Sequence, residues 1–188
     1  DSSPAVYILD NDNDGVIEKP DQGGKNDKVI VVFGERRGGT SYTALDVTLP
    51  DSPRFLWRID QANPTITGIP NPTTVLTGMG QSWSEPRVGT VKQGGTDENV
   101  AIIGGGYWPD EQSKGNAVYL IDVTDGSLVE SFTSSDHANM TYSIPSNVLA
   151  VDTTFNGYIN RVYVGDLGGQ IWRLGFQRAL DEDPAAED

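Results

Sequence analysis

AVYLIDVTDGSLVESF, residues 117–132, is the stretch on which the reading of the fold turns. It holds an apolar run, a polar break at Asp122-Val123-Thr124, and a second run, SLVESF from Ser127. The same order occurs earlier in the chain. SYTALDVT from Ser41 is followed by RFLWRID from Arg54, and Leu45-Asp46-Val47-Thr48 matches Ile121-Asp122-Val123-Thr124. QIWRLGF from Gln170 stands in the corresponding place further on. Asp46 and Asp122 end their strands at equivalent positions. That repetition gives them a turn-capping role, because a carboxylate there can take nearby backbone N–H groups.

Outward from these runs, the matches continue. Each is preceded by an apolar strand ending in glycine: KVIVVFGERRGG from Lys28, NVAIIGGGY from Asn99 and NRVYVGDLGG from Asn160. Before these lie AVYILD after Ser2-Ser3-Pro4, RVGTV after Trp83-Ser84-Glu85-Pro86, and SNVLAVD after Tyr142-Ser143-Ile144-Pro145. An ordered recurrence of this kind marks a repeat architecture. The chain therefore reads as all-β, with β-propeller-like repeats of four antiparallel strands. Two units are full and a third nearly so, at about residues 2–60, 83–132 and 142–176. About three blades do not close a ring, so a fragment of a larger propeller is expected. A sandwich of some ten strands is the alternative, and the fixed order of strand types argues against it. Residues 62–78 and 107–116 have no periodicity and are expected to be long loops; acidic residues 177–188 are expected to form a disordered tail.

Composition bounds the function. The 188 residues include 22 Gly and 11 Pro, which suits a turn-rich β fold. No apolar window is long enough for a membrane span. With no cysteine there are no disulfides, thiolate metal sites or cysteine nucleophiles. The formal charge of −14 disfavours nucleic acid and anionic membranes and favours cations. A start at Asp1, with neither initiator Met nor signal peptide, suggests a processed product or a fragment.

Between the first two strands of unit one lies DNDNDGVIEKPD, residues 10–21. Its spacing is that of a calcium loop, D-x-D-x-D-G-x-I-x-x-x-D. Calcium takes six to eight oxygen ligands, and alternate side chains of a tightly coiled loop converge on one point. The expected ligands are Asp10, Asp12, Asp14, the Val16 carbonyl, Glu18 and Asp21. Gly15 permits the turn and Ile17 points away to anchor the loop. Asp21 stands where an EF-hand has a bidentate glutamate, and it follows Pro20, so it is the least secure ligand. The flanks are β-rich, which makes this a strand–loop–strand site and not an EF-hand. Unit three has the same frame in the same place, DTTFNGYIN, residues 152–160. Asp152, Thr154, Asn156 and Asn160 take the ligand positions there, with most of the charge gone. It reads as a decayed copy held by Asx-type turns.

Catalytic patterns are absent. His137 is the sole histidine and lies in a polar stretch with no nucleophile motif around it. Gly104-Gly105-Gly106 has no helix after it and cannot cradle phosphate in the usual way. Gly168-Gly169 reads as a strand turn, and Arg36-Arg37 as a solvated pair. Trp57 and Trp172 are expected in the core, and Trp108 is the better exposed contact.

YINRVYVGDLGGQIWRL (158–174), GMGQSWSEPRVGTV, NVAIIGGGY and the strand pairs quoted above together resemble the C-terminal β-propeller of the PilY family. These are type IV pilus biogenesis and tip-associated adhesins of bacteria. The resemblance implies a non-enzymatic protein outside the cell, at the surface and pilus tip, with Ca2+ bound in the propeller. It implies roles in the balance of pilus extension and retraction, adhesion and twitching motility. The implied partners are pilins or minor pilins, the remainder of its own propeller, and a host or surface receptor. Asp10, Asp12, Asp14, Val16 and Glu18 match the family's loop, and Asp21 matches less firmly. A generic calcium-stabilised surface propeller that binds sugars or proteins is an alternative. A fragment of a quinoprotein dehydrogenase is another, but its axial quinone site cannot be assembled from residues in this chain.

Overall fold

The computed structural model describes residues 2–18, 26–61, 74–110 and 114–176. Three sheets account for nearly all of its regular structure. The first runs β1 (Ala5–Leu9), β2 (Lys28–Gly34), β3 (Ser41–Asp46), β4 (Arg54–Asp60) and β5 (Thr74–Val75), in that order. The second runs β6 (Arg87–Gln93), β7 (Thr96–Gly104), β8 (Val118–Asp122) and β9 (Leu128–Phe132). The third holds β10 (Leu149–Val151), β11 (Arg161–Gly165) and β12 (Ile171–Gly175). Every pairing is antiparallel between sequence neighbours except β4 with β5, which is parallel. Among the described residues no helix is long and apolar enough to cross a membrane.

In the second sheet the apolar runs form the middle because both of their faces are buried. In β7, Ala101 and Ile103 face the first sheet while Val100 and Ile102 face the third. In β8, Tyr119 and Ile121 go one way and Val118 and Leu120 the other. A strand buried on both faces shows no polar alternation, which is why VAIIG and VYLI read as continuous apolar runs. The second sheet is thus the middle layer of a stack. One core joins it to Ile30, Tyr42, Trp57 and Ile59 of the first sheet, and another to Val162, Val164 and Leu174 of the third.

The segments that enter each unit lock the sheets together. Ser84 and Ser143, from the aromatic-Ser-x-Pro motifs, are fully buried. Ser84 Oγ accepts the Gly104 N–H at 3.0 Å and its carbonyl accepts the Tyr42 hydroxyl at 2.8 Å. Ser143 Oγ donates to the Lys114 carbonyl at 2.6 Å. Gly104 is glycine because a Cβ there would sit 2.5 Å from the Ile144 carbonyl oxygen. Trp57 Nε1 donates to Val123 O at 2.9 Å across the first two sheets.

The turn aspartates do what their repetition suggested. Asp46 Oδ1 accepts Thr48 N–H at 3.0 Å, and Asp122 Oδ1 accepts Thr124 N–H at 2.6 Å. A β-bulge precedes each turn, between Ala44 and Leu45 and between Leu120 and Ile121. One expectation needs correction. Residues 62–78 are not loop throughout: Thr74–Val75 adds a parallel edge strand to β4, and Leu76 is buried in the core with its N–H on Asp60 O at 3.0 Å. A single buried leucine tied to the strand end recruits the chain to the sheet. Residues 62–73, 111–113 and the acidic 177–188 lie outside the described residues. The three sheets form an open part of a propeller and do not close a ring.

Candidate metal centre

The loop after β1 is held at its ends by the β1–β2 pairing, in which Leu9 faces Lys28. Within it, Asp10 Oδ2 accepts Gly15 N–H at 2.8 Å and Asp14 Oδ1 accepts Val16 N–H at 2.8 Å. Asn13 and Gly15 take left-handed backbone at φ 56° and 81°. Asparagine tolerates that region and glycine has no β-carbon to clash, so the coil follows from the sequence.

Two carboxylate groupings result. Ligand atoms of Asp12, Asp14 and Glu18 lie within 4.8 Å of one another, and so do those of Asp10, Asp12 and Asp27. Asp12 belongs to both. The coil thus places Asp10 beside Asp12, and Asp12 beside Asp14 and Glu18. Val16 shares the coil, with its side chain exposed. Asp21 lies outside the described residues. Ile17 is half-buried and belongs to neither core cluster, so it anchors the loop less deeply than expected.

Asp27 was missed by the twelve-residue frame. It is 2% exposed, and its Oδ1 and Oδ2 accept Asn11 N–H at 2.9 Å and Glu18 N–H at 3.2 Å. A signal for it was present: Asp27 precedes KVIVVFG as Asn160 precedes RVYVG.

The loop of unit three has the same skeleton. Asp152 Oδ2 accepts Gly157 N–H at 2.7 Å, Asn156 Oδ1 accepts Tyr158 N–H at 3.0 Å, and Phe155 and Gly157 have φ of 56° and 91°. Asn160 Oδ1 accepts Thr153 N–H at 3.0 Å, as Asp27 accepts Asn11. Strand register confirms the match, since Val151 faces Arg161 as Leu9 faces Lys28. Asn160 is thus the counterpart of Asp27 and not of Glu18, which corrects the ligand alignment. The error came from counting along the chain, because unit one carries extra residues before its closing position.

The loops differ at one oxygen. Asp152 Oδ1 accepts both the hydroxyl and the N–H of Thr154, at 3.1 and 3.0 Å. Asp152 is partly desolvated, which pushes its pKa up. The N–H of Gly157 and the Thr154 donors outweigh this and hold it below the usual carboxylate range. In unit one the counterpart of Thr154 is Asp12, which has no proton to give. Asp10 Oδ1 is buried and accepts no hydrogen bond among the described residues. Asp152 Oδ1 has donors where Asp10 Oδ1 has none among the described residues.

Calcium fits such a donor set: hard anionic oxygens, a bare buried carboxylate oxygen and a coil of alternating side chains. Like charges within 4.8 Å repel by roughly 1–3 kcal/mol per pair at effective dielectric constants between 80 and 20. A divalent cation reverses that sign. The loops of units one and three, with the β6–β7 hairpin, line a common cleft of about 480 Å³ whose walls include Asp10, Asn13, Asp97, Asn156 and Tyr158. Tyr158 Oη donates to Asp97 Oδ2 at 2.8 Å and ties two of these elements together.

The other candidates form no second centre. His137 is exposed and lies 5.8 Å from the Trp172 ring. Arg36 lies over Trp83, 5.4 Å from the ring centroid, with Glu85 at 4.0 Å. Trp108 is half-buried under the Lys114 ammonium, which is 4.7 Å from its ring centroid. Trp57 is core, whereas Trp172 is only half-buried and gives its Nε1–H to Asp166.

Comparison with known proteins agrees with this architecture. Residues 5–188 match the family model of the PilY1 beta-propeller domain. A type IV pilus biogenesis factor PilY1 from Pseudomonas aeruginosa is 29% identical over 149 residues, covering 78% of this chain and 11% of the relative. A PilY1 homolog from Xylella fastidiosa is 28% identical over 157 residues, covering 77% of this chain and 9% of the relative. The chain thus spans about a tenth of those relatives. The crystal structure of the Pseudomonas aeruginosa PilY1 C-terminal domain superposes with a TM-score of 0.63 at 23% identity, over 93% of this chain and 30% of that one. Stacked β-sheet units, the order of their motifs and a family match over nearly the whole chain place this protein in the PilY1 β-propeller family.

Proposed function

We propose that this chain is the calcium-binding part of a propeller that serves type IV pilus biogenesis, outside the cell at the pilus tip. The observation that carries the calcium reading is the contrast between Asp10 and Asp152. Two loops share one skeleton, and the one that lacks the threonine donor keeps a buried carboxylate oxygen bare. Asp10, Asp12, Asp14, the Val16 carbonyl and Glu18 would hold the ion, with Asp21 as the remaining sequence candidate. When bound, the ion would neutralise the loop and fix its shape against the cleft shared with units two and three.

That ordering offers a physical route to function. A loop of repelling carboxylates has many conformations without an ion and few with one. Contacts made by its cleft then depend on calcium. Pilins or minor pilins, the rest of the propeller and a surface receptor are the partners that fit a pilus-tip protein. Calcium-dependent contact would feed the balance of extension and retraction, and through it adhesion and twitching. The role proposed is binding, in keeping with relatives that are pilus biogenesis factors.

The experiment is calcium titration by calorimetry on the wild type and on Asp12→Ala/Asp14→Ala. One site, lost in the double variant, is the expected result. Absence of binding in the wild type overturns the calcium reading and leaves the family assignment untouched.

A further inference from the structure

We infer that Asp27 is the positioning residue of the calcium site, and that its charge helps to distinguish the cation loop of unit one from its less charged twin in unit three. This rests on the calcium reading above and assigns a role to a residue beyond the twelve-position loop.

Asp27 ties the loop at both ends. Its hold on Asn11 N–H fixes the backbone between Asp10 and Asp12, and its hold on Glu18 N–H fixes the last described ligand. Asn11 adds a parallel tie, donating from Nδ2 to Asn26 O at 2.8 Å. Asp27 is also anchored in the fold, since it adjoins β2 and is 2% exposed. One of its oxygens lies within 4.8 Å of oxygens of Asp10 and Asp12, so it belongs to the same acidic grouping.

Unit three shows the same place with fewer carboxylates. Asn160 keeps the bond to the second loop residue, is 6% exposed, and carries no charge. Thr154 replaces Asp12 and supplies the proton that Asp152 needs. The pair Asp12 and Asp27 in unit one corresponds to Thr154 and Asn160 in unit three. The two exchanges occur together, as expected if both carboxylates answer one cation.

The test separates the charge from the brace at Asn11. Asp27→Asn can keep the bond to Asn11, as Asn160 does to Thr153, while removing the charge and the Oδ2 acceptor of Glu18 N–H. Calcium affinity by calorimetry should fall by about tenfold or more, and the melting temperature in chelator should equal or exceed that of the wild type. Asp27→Ala should lose affinity and also melt lower in chelator. Asp27→Asn that binds calcium within about threefold of wild type would overturn the inference and leave the calcium site standing. A wild type that binds no calcium would overturn both. If Asp27→Asn does not fold, the decision passes to the reciprocal variant Thr154→Asp/Asn160→Asp. It should bind a second calcium ion in unit three, and unchanged stoichiometry would overturn the inference.

Discussion

Thr154 and Asp12 occupy one position in two loops and set opposite demands on the aspartate beside them. The Asp152 carboxylate is satisfied by protons within its own loop, which makes its stability contribution pH-dependent. Its folded pKa lies below the unfolded value, so the contribution is present above the unfolded pKa and is lost as pH falls through the folded one. The amides of Thr154 and Gly157 should therefore lose protection only below the ordinary carboxylate range, as followed by NMR-detected exchange. Loss that begins at higher pH would contradict these bonds. Gly126 gives a second residue-scale test. Its φ is 78° and a Cβ there would lie 2.6 Å from Trp57 Cγ. Gly126→Ala combines left-handed strain with overpacking, and should cost about 2–4 kcal/mol in urea unfolding. Gly126 could be read from sequence as a turn residue, but its closeness to Trp57 could not, because the two belong to different sheets.

At the scale of elements, the second sheet carries the stack. Leu120 is fully buried in β8, whereas Ile171 at the start of β12 is 81% exposed. Leu120→Ala should destabilise by about 2–5 kcal/mol. Ile171→Ala should change stability by less than about 0.5 kcal/mol. Equal effects in chemical unfolding would count against the layered core. The strands were legible because each is a short run of apolar and β-branched residues bounded by glycine, proline or aspartate. β5 was not, because Thr74–Val75 gains its place only from Leu76 entering a core built by distant residues. The paired bulges before Asp46 and Asp122 were equally hidden, although the matching motifs around them were visible.

For the whole molecule, a net charge of −14 includes loop carboxylates whose repulsion an ion would relieve. Calcium at about one hundred times its dissociation constant should stabilise the chain by about 2.7 kcal/mol, reversibly with chelator. The melting temperature of Asp12→Ala/Asp14→Ala should not respond to calcium, and in chelator should match or exceed that of the wild type. The sequence by itself determined the fold class, the order of strands and the acidic coil, because these depend on neighbours along the chain: alternation, turn residues and ligand spacing. Only the tertiary structure decided which residue closes the coil. Asp27 lies beyond the motif's frame and reaches Asp10 and Asp12 only when β1 pairs with β2. The same pairing of β10 with β11 brings Asn160 to Thr153, so the contrast between the more and less charged loops becomes visible only once both strands are in register.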